Sequence, residues 1–213
     1  MNINDLKYWN FYYNKENKLV KKSNFAALIK KKLLKKRMNI LEIGTGNGRD
    51  AFYFSKHSNV LAIDQSSSAI SENKLKAKEL NINNLKFKKL NVDKILQIKN
   101  RNKINLIYAR FFIHSINLNR ENKFLNNLSK FNKTRLTIAL EFRTTKDKLM
   151  NKGKKISKFE TYTDHYRRFI DPDEFVKKII NLGFKITYKK LGINLSKTKN
   201  DNPHLCRIIF CKI

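Results

Sequence analysis

Apolar positions along the chain switch repeatedly between a helical and a strand period. Residues 24–36 place Phe25, Leu28, Ile29 and Leu33 at near-helical spacing, and residues 4–13 carry a similar stripe. Residues 39–43 form a short apolar run that reads as a buried strand ending at a glycine loop. A helix is expected at 49–56 and a second strand at 59–63, ending at Asp64. Ser66 or Ser67 caps a helix running to about residue 80. Strands follow at 85–90 and 104–108, a helix at 121–131, and a fifth strand at 135–142. Residues 144–163 are polar, with Gly and Lys, and read as an insertion or lid. Pro172 then opens a helix reaching Leu182, where its missing N–H costs little, and Gly183 stops it. Strands at 184–191 and 205–212 close the chain.

Strand and helix in alternation imply an α/β fold, a doubly wound, mostly parallel sheet covered on both faces. The closing strand pair is the expected antiparallel departure. No repeat or Gly/Ser/Pro linker interrupts the chain. The reading is therefore one domain over 1–213: an N-terminal helical cover (1–37), a core (38–142), an insertion (143–170), and a last helix with the strand pair (171–213).

Composition narrows the class. A chain of 213 residues with 41% apolar content and 15 Phe supports one packed α/β domain rather than a disordered one. No apolar run approaches the roughly 18–20 residues needed to span a bilayer, and residues 1–9 carry no signal-peptide core. Cys206 and Cys211 lie five apart in a strand and point to opposite faces, so they cannot pair locally. A reducing cytoplasm is the expected compartment. The net charge of +30 suits a polyanion, but the lysines are spread along nearly the whole chain and interleave poorly with aromatics. Compositional drift and solubility explain them better than a polyanion or anionic-surface role does.

The glycine loop carries the chemistry. Strand, glycine loop and helix together bring backbone N–H groups to a ligand. The spacing is Gly44-x-Gly46-x-Gly48; a dinucleotide fingerprint needs glycine at 49, which is Arg49. No Gly-Lys-Ser/Thr follows, so a Walker loop is absent as well. Asp64, twenty residues after Gly44, ends the second strand, where it can accept hydrogen bonds from both hydroxyls of a ribose.

Glu42-Ile43-Gly44-Thr45-Gly46-Asn47-Gly48 resembles the E/D-x-G-x-G-x-G motif of class I S-adenosylmethionine (SAM)-dependent methyltransferases, and Asp64 resembles their ribose-binding acid. The likeness covers roughly residues 38–142. It implies a seven-stranded sheet with an antiparallel C-terminal strand and SAM as cofactor, with S-adenosylhomocysteine as product. It further implies a cofactor site of Glu42, Gly44, Thr45, Gly46, Gly48, Asp50, Asp64, Gln65, Asp93 and Arg110, with Glu42 toward the methionine amino group and Asp93 toward the adenine. Nothing calls for a metal.

Ligands of open α/β sheets sit outside the carboxyl ends of the strands. Four arginines are expected near that rim, Arg110, Arg143, Arg167 and Arg168, as clamps for a carboxylate or phosphate. His114 or His165 is the expected base, with Tyr166 beside them as a further catalytic group. Tyr12 belongs to the densest aromatic cluster, residues 8–13, which also holds the only Trp and is expected to cover the site. The leading expectation is methyl transfer to a small anionic acceptor, phosphate-, phosphonate- or carboxylate-bearing, possibly of surface-glycan synthesis, with oxygen favoured. The alternatives are a tRNA or rRNA methyltransferase and a SAM-binding protein without catalysis.

Overall fold

The computed structural model describes residues 3–15, 21–131 and 136–212. Two helices come first, α1 (Ile3–Lys15) and α2 (Asn24–Leu33). The alternating core follows: β1 (Asn39–Ile43), α3 (Arg49–Ser55), β2 (Asn59–Asp64), α4 (Ser67–Glu79), β3 (Leu85–Lys89), β4 (Leu106–Arg110), α5 (Leu118–Ser129) and β5 (Thr137–Arg143). Three short strands come next, β6 (Lys154–Ser157), β7 (Glu160–Tyr162) and β8 (Tyr166–Arg168). Helix α6 (Pro172–Asn181) and strands β9 (Phe184–Gly192) and β10 (Leu205–Lys212) complete the order.

Seven strands form one sheet in the order β3-β2-β1-β4-β5-β10-β9. The first five are parallel, and β10 runs antiparallel to both β5 and β9. Alternation along β1 sends Leu41 and Ile43 to one face and Ile40 to the other. Each face has its own core. One packs Ile107, Phe124 and Leu128 against Leu41; the other packs Phe25, Ile29 and Phe54 against Ile40. Central strands buried on both faces read as continuous apolar runs, as β1 does. Both cysteines are free thiols. Burial raises the Cys206 thiol to about 12.

Several boundaries move, each for a local reason. Helix α5 begins earlier than expected because Asn117 accepts from the Arg120 N–H and caps it there. Strand β4 starts two residues later and runs on to Arg110, which puts that arginine on the sheet itself. Helix α2 stops at Leu33, short of the lysines that extend its stripe in sequence. Arg135, the expected start of the fifth strand, lies outside the described residues. The expected insertion is itself a sheet, β6-β7-β8, all antiparallel.

One backbone feature stands at the exit of β4. Phe111 has φ +56°, a left-handed conformation that bulky side chains rarely adopt. Its N–H donates to the Glu141 carbonyl at 2.9 Å, and the Arg110 guanidinium lies 3.9 Å from its ring centroid. The turn is held from both sides.

Candidate active site

The glycine loop is fastened to its neighbours by backbone bonds. Gly44 and Thr45 N–H groups donate to the Ile63 carbonyl at 2.9 and 3.2 Å, and Asn73 Nδ2 donates to the Gly46 carbonyl at 2.7 Å. Gly46 has φ +53°, and a Cβ there would lie 2.4 Å from the Tyr13 hydroxyl. Glycine is therefore required by both conformation and space. Asp64 closes the loop, Oδ2 accepting from Gly46 N–H and Oδ1 from Ser66 N–H, each at 2.9 Å. Burial raises its pKa, and these backbone bonds oppose the rise.

Below the loop, Glu42 is 4% exposed, and its Oε2 has no hydrogen-bond partner. Burial, reinforced by Asp50 and Asp64, pushes its pKa well above the usual carboxylate range. Asp50, in the first turn of α3, is fully engaged. It accepts from Ser23 N–H, Ser23 Oγ and the Tyr108 hydroxyl, each at 2.7 Å.

These groups share a cavity of about 450 Å³ with a second set of residues. Tyr8, Trp9, Tyr12 and Tyr13 roof it from α1. Arg110 leaves β4 toward it with Nε bound to Glu141 Oε1 at 2.8 Å. Asp164 and His165 enter from the turn into β8, and Arg167 from β8 itself. Asp164 accepts from Tyr8 OH and Arg167 Nη1, both at 2.7 Å, and from Thr163 Oγ1 at 2.6 Å. Although burial opposes it, these bonds, Arg167's first, hold the Asp164 carboxyl well below the usual carboxylate range. His165 lies with its ring centroid 4.7 Å from that of Tyr8 and 4.6 Å from that of Trp9. Its Nδ1 is 3.1 Å from Asp164 Oδ2 but is not aligned for a hydrogen bond. Burial, then the Arg167 charge, lowers its pKa to about 4 against the partial opposition of Asp164, so the ring is neutral at pH 7.

Of the expected cofactor residues, Glu42, Gly44, Thr45, Gly46, Asp50, Asp64, Gln65 and Arg110 line this cavity. Gly48 and Asp93 do not. Gly48 backs onto the Asn73 side chain, and Asp93 is 3.2 Å from Arg120 Nη2 in an ion pair. On the acceptor side, Arg167, His165 and Tyr12 line it, whereas Arg143, Arg168, His114 and Tyr166 stand outside. Arg143 is buried between Asp147 and Asp201, and Arg168 donates to Glu121. His114 is buried with Nδ1 accepting from the Arg143 N–H at 3.3 Å, and burial lowers its pKa strongly. Tyr166 donates to Glu160 at 2.5 Å, and burial raises its pKa. Of the four arginines expected at the rim, Arg110 and Arg167 therefore line the cavity, while Arg143 and Arg168 lie off it. Sequence reasoning passed over Arg49 and Asp164 as site residues, though both line the cavity.

The model of the methyltransferase domain family matches residues 34–190, well over half of the chain. The chain belongs to that family, with the class I, SAM-dependent architecture. Among solved structures, a SAM-dependent methyltransferase from Methanosarcina mazei is 17% identical at a TM-score of 0.73, covering 87% of this chain and 97% of that one. A SAM-dependent methyltransferase from Clostridium acetobutylicum is 12% identical at 0.70, covering 97% and 98%. A third, the Burkholderia thailandensis 1,6-didemethyltoxoflavin-N1-methyltransferase, was solved with 1,6-didemethyltoxoflavin and S-adenosylhomocysteine. It is 12% identical at 0.67, covering 88% and 76%. Identities this low establish a shared fold alone. No curated protein matches the chain.

SAM is the cofactor of this class, and the residues present fit it. Glu42 offers an unpartnered buried carboxylate oxygen, and Asp64 ends β2 at the loop.

Proposed function

We propose that the protein transfers a methyl group from SAM to a small anionic acceptor, at oxygen. The observation that carries this reading is one cavity lined both by Glu42 and Asp64 and by Arg110, Arg167 and His165. Bound SAM supplies an electrophilic methyl group on a cationic sulfonium. The residues of the chain align the acceptor and exclude water. Arg110 and Arg167 offer guanidinium forks to a phosphate, phosphonate or carboxylate. An oxygen that is already ionised needs no strong base. The neutral His165 ring suits that acceptor, either as a hydrogen-bond partner or as acceptor of a hydroxyl proton. The four aromatics of α1 close the cavity toward solvent.

This reading treats 1–213 as one methyltransferase unit, with 1–37 as cover and 143–170 as the acceptor side. It places the protein in the cytoplasm; no described helix is long and apolar enough to cross a membrane. A panel of phosphate monoesters, phosphonates and carboxylate sugars, incubated with methyl-labelled SAM, tests it. Arg167→Ala should raise the acceptor KM at least about tenfold and leave S-adenosylhomocysteine affinity intact. Unchanged acceptor kinetics in that variant would remove Arg167 from the site.

The +30 charge favours one competing reading, RNA methylation. Submicromolar affinity for structured RNA with a steep salt slope would replace the small-acceptor proposal.

A further inference from the structure

In a doubly wound sheet the crossovers ordinarily lay helices over the faces. The crossover from β3 to β4 does not. It passes in two short 3-10 turns, Val92–Gln97 and Arg101–Lys103. A second cavity, of about 400 Å³, lies beside it at the amino ends of β1 and β2, opposite the end that carries the glycine loop. That volume falls within the roughly 300–1,000 Å³ of small-molecule sites.

Parallel register aligns Asn39 with Asn59 and Leu61 with Lys86, so all four stand on one face of the sheet. Half-buried Leu61 makes an apolar floor with buried Ile98 and Ile104. Amides border it. Asn59 Nδ2 donates to Asn39 Oδ1 at 2.9 Å, and Asn39 Nδ2 to the Lys103 carbonyl at 3.1 Å. Those bonds fix the pair and leave Asn59 Oδ1 free to accept. Lys86 reaches the cavity from β3, and Lys99 and Lys103 from the crossover. No carboxylate lines it, and among the described residues none of these three lysines joins an ion pair. Lys177, Lys178 and Lys189 elsewhere each hold a carboxylate.

Apolar floor, amide border and uncompensated ammonium groups call for a ligand with a matching part for each. Inorganic phosphate would leave the floor uncovered, and an acyl chain would leave the amides unpaired. We propose that this cavity is a second ligand site, which takes a free mononucleotide. The base lies on Leu61, Ile98 and Ile104 with its polar edge toward the asparagines, and the phosphate meets Lys86, Lys99 and Lys103.

Calorimetry tests this on the intact chain saturated with S-adenosylhomocysteine, so that the glycine-loop cavity is filled. The titrants are guanosine monophosphate, guanosine and inorganic phosphate. The nucleotide should bind at least about tenfold more tightly than either part, since guanosine forgoes the charged bonds and phosphate forgoes the floor. Lys99→Ala with Lys103→Ala, both exposed positions, should remove the advantage over guanosine and spare S-adenosylhomocysteine affinity. Removing equal charge elsewhere, by Lys123→Ala with Lys130→Ala, should change nucleotide affinity less than about twofold, because distant surface charges are screened. Equal weakening by the two pairs overturns the site, for the lysine coat as a whole would then be the binder. Phosphate bound as tightly as the nucleotide overturns it as well, and so does a nucleotide that fails to bind. A phosphorylated oligonucleotide bound at least about tenfold more tightly than the mononucleotide would give this face to RNA and overturn the assignment to a free nucleotide.

Discussion

Asp64 holds the glycine loop and is proposed to hold the ribose as well. It already accepts from Gly46 and Ser66 N–H groups, and its position at the end of β2 suits ribose hydroxyls. Asp64→Ala is expected to weaken S-adenosylhomocysteine at least about tenfold by calorimetry; unchanged affinity would remove the assignment. Arg143 teaches the opposite lesson. It reads in sequence as an anion clamp, yet it is buried between Asp147 and Asp201. Arg143→Ala should cost about 3–5 kcal/mol by stranding Asp147, a fall in Tm on the order of ten degrees. A near-native melting curve would return Arg143 to the candidate ligands. The positions of the glycine loop and of Asp64 at the end of β2 were legible because both follow from local spacing within consecutive strands. The fates of Arg143 and Arg168 were not, because their partners Asp201 and Glu121 lie 58 and 47 positions away. His165 adds a pH dependence. Its folded pKa of about 4 lies below the ordinary 6.5, so the unfolded chain binds the proton more readily. Stability from this group is complete above pH 6.5 and is lost as pH falls toward 4, with His114 contributing in the same sense. Melting curves across that window should flatten in His165→Phe, which keeps an aromatic ring against Tyr8 and Trp9; an unchanged slope would contradict the depressed pKa.

At the scale of elements, the alternating core was readable because buried strands and amphipathic helices impose their own periods. The sheet β6-β7-β8 was not. All four residues of β6 are exposed, so no apolar alternation marks it, and backbone pairing with β7 holds it in place. That small sheet matters because β8 follows directly on His165. The Ser66 cap of α4 was legible, whereas the Asn117 and Asp171 caps were passed over, and their worth can be measured. Asp171 accepts from Asp173 and Glu174 N–H groups at 2.9 and 3.2 Å at the start of α6. Asp171→Ala should cost about 1 kcal/mol, lowering Tm by roughly 2–4 °C without touching ligand affinity. A loss of S-adenosylhomocysteine binding would show that α6 communicates with the cavity.

For the molecule as a whole, charge and cavity make separate claims. The lysine excess is distributed, whereas Arg110 and Arg167 in the cavity are fixed by Glu141 and Asp164. Helix α1 spans both halves. Asn10 accepts from Ser66 Oγ at 2.8 Å and Tyr13 rests on Gly46 of the glycine loop. At the other end Tyr8 donates to Asp164, and Asp5 accepts from the Tyr166 N–H at 3.2 Å. A helix fastened at both ends turns ligand exchange into a question of traffic. Exchange is therefore expected to require a lifting of α1, which Trp9, the only tryptophan of the sequence and a residue of the cavity wall, should report by its fluorescence. In stopped-flow experiments Tyr8→Phe should hasten S-adenosylhomocysteine release several-fold; an unaltered off-rate would mean that α1 is a fixed wall. Faster release would mean that one hydroxyl, Tyr8's on Asp164, sets the pace at which the spent donor departs.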